Sequence, residues 1–189
     1  MLSFKLLSAA VVLAWSAQAS LITLGGTLSG ANENPATASP ATGSAFVTVD
    51  SVGLTITFNV VFSGLTTNDT AAHIHCCVAL GGNTGVATAV PALPGFPLGV
   101  TSGTFSGVMF SLLDPTFYNP AFITANGGTV SSAEPVFLAG LLNSQAYFNI
   151  HTPNNPGGEI RAFLVPTPEP ATVFLAGLAL LGIAIRWRK

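Results

Sequence analysis

Both cysteines and two of the three histidines of this 189-residue chain stand in one hexapeptide, Ala72-His73-Ile74-His75-Cys76-Cys77. If the hexapeptide is a β-strand, His73 and His75 lie on one face, because successive side chains of a strand point to opposite sides. Two imidazoles with this spacing can chelate one transition-metal ion, and His151 would supply a third ligand. The residue types therefore raise the hypothesis of a copper or zinc site made by His73, His75 and His151.

The same histidines have a structural interpretation, which we favour from the sequence alone. In that interpretation the imidazoles hydrogen-bond to backbone and acidic groups and tie neighbouring strands together. The metal hypothesis requires all three imidazoles to converge on one point, about 2.0–2.1 Å from each ligand atom if the metal is zinc. The two interpretations therefore differ in where the fold must place His151.

Cys76 and Cys77 are adjacent, and the Cβ atoms of consecutive strand residues point apart, so an ordinary bridge between them is strained. In an oxidising compartment the alternatives are a vicinal disulfide, a bond to another chain, metal ligation or a free, redox-labile pair. The pair lacks the two intervening residues of a thioredoxin-type motif, so oxidoreductase chemistry is not expected. The sequence leaves these alternatives open.

The elements that must position these residues are short β-type stretches separated by Gly-rich turns. The clearest is residues 54–62, where apolar side chains occupy every second position, as in a half-buried strand. Residues 45–49 precede it as a hairpin partner, and further strands are predicted at 21–28, 104–110, 147–151 and 160–165. This pattern predicts an all-β fold, an antiparallel β-sandwich of immunoglobulin-like or Greek-key type.

One short helix is predicted within this all-β pattern. Ser131-Ser132-Ala133-Glu134 has the spacing of a capping box, Pro135 falls in the first turn, and an apolar run follows at 136–142. Segments rich in Asn, Pro and Gly at 31–43, 81–103 and 114–128 are predicted to be loops.

Charged residues make up only 6% of the chain. Between residues 20 and 165 the only Arg or Lys is Arg161, against the six carboxylates Glu33, Asp50, Asp69, Asp114, Glu134 and Glu159. Because no basic patch is present for a phosphate backbone, nucleic acid is not an expected partner. The sequence also carries no Ser-His-Asp signature, phosphate-binding loop or dinucleotide fingerprint, so we assign no catalytic residue and expect a protein that is not an enzyme.

The two ends of the chain have the patterns of protein-targeting signals. Residues 1–19 carry one basic side chain, Lys5, then an apolar run and small residues before a cleavage position after Ala19, which is typical of a secretory signal peptide. The other end has Pro168-Glu169-Pro170, an uncharged run at 171–185 that predicts a short transmembrane helix, and a basic tip at Arg186, Arg188 and Lys189. We therefore expect an exported domain at 20–165 and a sorting tail at 166–189.

This three-part tail closely resembles the PEP-CTERM sorting signal. The resemblance implies that an exosortase processes the tail in a Gram-negative bacterium. The chain would then pass through an intermediate anchored in the inner membrane by its C-terminal helix. Its expected destination is the cell surface or the extracellular polysaccharide matrix.

The middle of the chain, about residues 24–164, resembles the CHRD domain, which is named for repeats in the developmental protein chordin and also occurs in secreted bacterial proteins. The most specific segment is Asn149-Ile150-His151-Thr152, followed by Pro156-Gly157-Gly158-Glu159-Ile160-Arg161. The segments Gly30-Ala31-Asn32-Glu33-Asn34-Pro35 and Ala72-His73-Ile74-His75 precede it in family order. The chain departs from the family at Cys76-Cys77, where Gly usually follows the His-Ile-His segment.

The resemblance implies an extracellular binding or structural role and gives no catalytic set. We expect binding or structural roles for Glu33, Asn149, Glu159 and Arg161. Glu159 and Arg161 are two residues apart on a predicted strand, so we expect them to form an ion pair at one end of the sandwich. The expected partner is an extracellular polysaccharide or a surface protein, and the alternative function is a secreted copper or zinc protein that uses the three histidines.

Overall fold

The computed structural model describes residues 21–167, and the predicted signal peptide and the tail from Pro168 onward lie outside that range. This range contains eight β-strands: β1 Leu21–Ser29, β2 Thr42–Asp50, β3 Thr55–Ser63, β4 Ala71–Cys76, β5 Gly103–Ser111, β6 Ala146–Thr152, β7 Asn155–Phe163 and β8 Val165–Pro166. Two α-helices, α1 Pro120–Ala125 and α2 Val130–Leu142, and two 3-10 turns, Gly30–Asn32 and Pro115–Phe117, complete the elements. Among the helices of residues 21–167, none is long and apolar enough to span a membrane.

All strand pairs are antiparallel and belong to one sheet with the order β4-β6-β7-β1-β2-β3-β5, with β8 paired to β1. The sheet curls into a half-barrel, so its two ends face each other across the core. Phe58 of β3 and Phe148 of β6 are four strands apart in the sheet, yet their ring centroids are 6.4 Å apart. The prediction of an all-β, antiparallel fold is confirmed.

Strict alternation explains why residues 55–63 form β3. Its residues Ile56, Phe58, Val60 and Phe62 are buried, while the residues between them face outward or are partly exposed. The predicted hairpin with β2 is formed in register, with Asp50 opposite Thr55. Its turn is stabilised by Asp50 Oδ1, which accepts hydrogen bonds from the backbone N–H groups of Val52 and Gly53 at 2.9 and 2.7 Å.

The predicted helix is present as α2, but it begins earlier than the sequence indicated. Thr129, not Ser131, is the N-cap, and its hydroxyl accepts from the backbone N–H of Ser132 at 3.2 Å. Ser132 completes the capping box with its hydroxyl in the position where Glu or Gln is usual. A second helix, α1, lies in the segment predicted as a loop, because Asn119 caps its first turn and Pro120 suits the first helical position.

Strand β4 is at one end of the sheet, and residues 84–93, which we name the covering segment, lie along its free edge. Backbone hydrogen bonds join the two: Ala72 N–H donates to Pro91 O at 3.1 Å, and Ala87 N–H donates to Ile74 O at 2.9 Å. The covering segment therefore satisfies the backbone groups that an end strand leaves unpaired.

Candidate metal centre

The strand register brings the three histidines together on one face of the β4–β6 pair. His73 and His75 alternate with Ile74, which is buried in the core on the other side of the sheet. On β6, His151 lies opposite Ala71 and is therefore the diagonal neighbour of His73. Ring centroids are 4.9 Å apart for His73 and His75, 4.7 Å for His73 and His151, and 5.8 Å for His75 and His151. One potential ligand atom from each side chain lies within 4.8 Å of the others.

Backbone carbonyls fix the tautomer of all three imidazoles. The Nδ1 atoms of His73, His75 and His151 lie 3.0, 2.8 and 3.0 Å from the carbonyl oxygens of Pro91, Thr84 and Pro156. Because a carbonyl only accepts, each Nδ1 carries the proton and donates it, which leaves the Nε2 lone pair free. This arrangement, in which one ring nitrogen is held by a backbone carbonyl, is typical of histidines that bind a metal through the other nitrogen.

The Nε2 atoms are the unusual feature. All three are buried, and none has a hydrogen-bond partner among residues 21–167. A buried polar atom left without a partner destabilises the folded state by about 1–3 kcal/mol, so three such atoms in one place are strongly unfavourable. A metal ion bound by the three lone pairs would remove that cost.

The imidazoles are in the neutral form that a metal requires. The pKa of His73 is lowered to about 3, mainly by burial and also by the nearby His151 and His75. Burial lowers the pKa of His75 to about 4, although its hydrogen bond to Thr84 acts in the opposite direction. Burial also lowers the pKa of His151. All three side chains are therefore uncharged at neutral pH and need not lose a proton to bind metal.

The family model of the CHRD domain matches residues 24–164, which is most of the chain. The chain belongs to the CHRD-domain family. A second model, the PEP-CTERM protein-sorting motif, matches residues 166–189. This motif implies export, processing by an exosortase, and placement at the surface or outside the cell of a Gram-negative bacterium. No curated protein and no solved structure matches the chain.

A buried ion pair flanks the histidines of this CHRD domain. Arg161 Nε and Nη2 each lie 2.7 Å from Glu33 Oε2, and the side chains are almost fully buried. Arg161 also donates to Gly82 O at 3.2 Å and to Asn83 Oδ1 at 2.8 Å. The guanidinium carbon lies 4.2 Å from the ring centroid of Tyr147. Tyr147 in turn stacks on His75, with ring centroids 4.7 Å apart and an interplanar angle of 8°.

The ion pair that we expected between Glu159 and Arg161 is not formed. Glu159 lies where the β6–β7 ladder shifts register, between the Ile150–Ile160 and Thr152–Asn155 pairs. There its carboxylate accepts four hydrogen bonds, from Ser39 Oγ, Thr66 N, Thr66 Oγ1 and Thr152 Oγ1, at 2.6, 2.8, 2.9 and 2.6 Å. Arg161 instead pairs with Glu33, which reaches it from the turn after β1. Of the predicted residues, the structure thus groups Glu33, Asn149 and Arg161 with the histidines and places Glu159 apart.

We expect Glu159→Ala to lower the free energy of unfolding by about 1–3 kcal/mol, because it removes the acceptor of four hydrogen bonds and leaves the buried hydroxyl of Thr152 without a partner. Urea denaturation of the two proteins measures the difference. Glu159→Gln is the matched control, since its amide oxygen still accepts and its size is unchanged, so its loss should be clearly smaller. Equal losses for the two variants would contradict this role of the carboxylate.

Cys76 and Cys77 are joined to each other by a disulfide bond at the end of β4. Both sulfur atoms pack on Gly140 of α2, where a Cβ atom would collide with them. A pocket of about 430 Å³ lies beside the disulfide and is also lined by Asn119, Phe122 and Val136. A disulfide sulfur has no thiolate to offer, so in this state the cysteines are not metal ligands. The disulfide therefore packs the end of the histidine-bearing strand against α2.

Sequence reasoning missed two parts of this centre. Tyr147 precedes Asn149 and His151 by two and four residues on β6, so period-two alternation could have placed it on the same face. The carbonyls of Pro91, Thr84 and Pro156 left no signal, because every residue has a carbonyl and only the fold decides where it points.

Proposed function

We propose that this exported CHRD domain is a metal-binding protein in which the Nε2 atoms of His73, His75 and His151 hold one copper or zinc ion. The observation that carries the proposal is the set of three buried Nε2 atoms without partners within the described residues, each on a ring whose Nδ1 is fixed by a carbonyl. Imidazole nitrogen suits both copper and zinc.

The strand-tying interpretation that we favoured from the sequence explains only half of this geometry. Hydrogen bonds to backbone carbonyls account for the three Nδ1 atoms. They give no reason for three neighbouring neutral rings, with centroids 4.7–5.8 Å apart, to bury their unprotonated nitrogens without partners in the described residues. Metal binding accounts for both nitrogens of each ring, and it is therefore the better-supported function.

The sorting motif supports a surface location for this metal centre. In our proposal residues 1–19 direct export, the tail holds an intermediate in the inner membrane, and exosortase releases the domain to the surface or matrix. This route passes through an oxidising compartment, which is consistent with the disulfide between Cys76 and Cys77.

The test is elemental analysis of the protein purified from an oxidising compartment. We expect about one copper or zinc ion per chain in the wild type and less than about a tenth of that in a His73→Ala/His75→Ala double variant. Ile74→Val is the matched control, because Ile74 is on the same strand but faces the core. It should keep the metal. Wild-type protein that neither contains nor takes up either metal would refute the proposal.

A second proposed function is binding of a neutral sugar unit of an extracellular polysaccharide. A pocket of about 240 Å³ is lined by the amide- and hydroxyl-bearing residues Asn34, Thr37, Asn154 and Asn155, by the apolar residues Pro35 and Pro156, and by Glu33. Amide and hydroxyl groups match the hydroxyls of a neutral sugar, and they would not attract a strongly charged ligand. Pull-down on matrix polysaccharide tests this function, with Asn154→Ala/Asn155→Ala expected to reduce retention and equal retention counting against it.

A further inference from the structure

Asn149 is a second buried polar group beside the three histidines. It lies directly opposite His73 of β4 on one side and Arg161 of β7 on the other, and it precedes His151 by two residues on the same face. Its side chain is fully buried, and neither Oδ1 nor Nδ2 has a hydrogen-bond partner in the part of the chain that the structure describes. Directly opposite strand residues have Cβ atoms about 4.5–5.5 Å apart, so the amide is a near neighbour of the His73 ring.

Glu33 contributes a further unpartnered atom to the same place. Its Oε2 binds Arg161, whereas its Oε1 is buried and unpartnered within residues 21–167. Gly158 shows that the two side chains border one space: a Cβ atom there would lie 2.7 Å from Asn149 Oδ1 and 2.8 Å from Glu33 Oε1. The absence of a side chain at position 158 leaves room for the polar ends of Asn149 and Glu33.

Three imidazoles leave one position of a tetrahedral metal ion without a protein ligand. We propose that the amide of Asn149 and Oε1 of Glu33 hold a water molecule that occupies this fourth position. This inference rests on the proposed metal function. A water molecule offers a lone pair to the metal and O–H donors to Asn149 Oδ1 and to the carboxylate, which can accept but not donate while it is ionised.

The hydrogen-bonding groups beside the fourth metal position also determine which ligand it binds. An aprotic anion such as azide or chloride has no proton to give, so it would meet the carboxylate oxygen Oε1 of Glu33 without a hydrogen bond and against its negative charge. The site therefore favours a protic ligand over an aprotic anion. Sites of this kind, with three protein ligands and one exchangeable position, differ from closed structural sites, in which the protein supplies every ligand.

The experiment uses the full chain loaded with copper(II), because copper(II) binds nitrogen sites most tightly of the divalent first-row metals. Electron paramagnetic resonance in water enriched in the magnetic oxygen isotope detects a coordinated water as line broadening. We expect broadening in the wild type and its loss or marked reduction in Asn149→Leu, which keeps the side-chain size. Asn59→Leu, on the exposed side of β3, is the matched control and should behave as the wild type.

Each outcome decides between the two proposals. If copper(II) does not bind to the wild type, the metal function fails and the water position fails with it. If one copper(II) binds but the wild-type spectrum shows no broadening, the metal function stands and the inference is overturned. If the broadening is the same in Asn149→Leu as in the wild type, Asn149 does not hold the water molecule. The wild-type spectrum is decisive even if the variant does not fold.

Discussion

Arg161→Ala is expected to lower the free energy of unfolding of the CHRD domain by about 3–5 kcal/mol, the largest loss that we expect from one substitution. The variant leaves the carboxylate of Glu33 buried without its cation. It also leaves Gly82 O and Asn83 Oδ1 without their donor and exposes one face of the Tyr147 ring. Burial already raises the pKa of Glu33, and its hydrogen bond and charge interaction with Arg161 oppose that rise. Without Arg161 the cost of keeping this carboxylate ionised is therefore uncompensated.

A double variant separates the ion pair from the packing of the arginine. Glu33→Gln in the Arg161→Ala background removes the isolated charge, so the double variant should recover about 1–3 kcal/mol relative to Arg161→Ala alone. Urea denaturation of the four proteins of this cycle gives the coupling. Losses that simply add would show that Glu33 and Arg161 do not act as a pair.

Arg161→Lys keeps the charge but not the planar group over Tyr147. Its loss in free energy of unfolding should therefore be intermediate between those of the wild type and Arg161→Ala.

The second large effect is a loss of stability in acid when the protein has been stripped of metal by a chelator. In the folded state His73 and His75 have pKa values of about 3 and about 4, whereas the ordinary value of an unfolded histidine is 6.5. Between these values the unfolded chain binds more protons than the folded one, so stability rises with pH. The free energy of unfolding is therefore not reduced by these two histidines above about pH 7.5, and it falls as the pH drops through 6.5. At pH 5 the loss should be about 2 kcal/mol for each of the two residues.

The pH dependence of stability must be compared with that of a variant that lacks the two histidines. The reason is that the buried carboxylates change stability with pH in the opposite sense. Burial raises the pKa values of Glu33, Asp69 and Glu134, and these groups stabilise the folded state as the pH falls. The His73→Gln/His75→Gln variant keeps those carboxylates and lacks the two imidazoles. Guanidinium denaturation at pH 7.5 and pH 5 should therefore show a much smaller difference in the variant. Equal pH dependence in both proteins would rule out neutral, buried histidines.

The sequence predicted the parts of this molecule that depend on local periodicity. The alternation in residues 54–62 predicted β3 and its hairpin, and the spacing of His73 and His75 predicted a shared face, because a strand repeats every two residues. The pairing of Glu33 with Arg161 was not predictable in this way. The partners are 128 residues apart and meet only because β7 returns beside β1 in the curled sheet. Helix α1 was missed because six residues give too short a period to detect against the Asn and Gly around them.

The covering segment also has a consequence for how these molecules behave when they are crowded. A bare end strand can pair with the end strand of another copy, which is how many β-rich proteins aggregate. Residues 84–93 occupy the free edge of β4, and the same segment supplies the carbonyls that orient His73 and His75. Orientation of the histidines and protection against edge-to-edge self-association therefore depend on one stretch of backbone. Loosening it would expose the backbone of β4 to pairing with another copy of the chain.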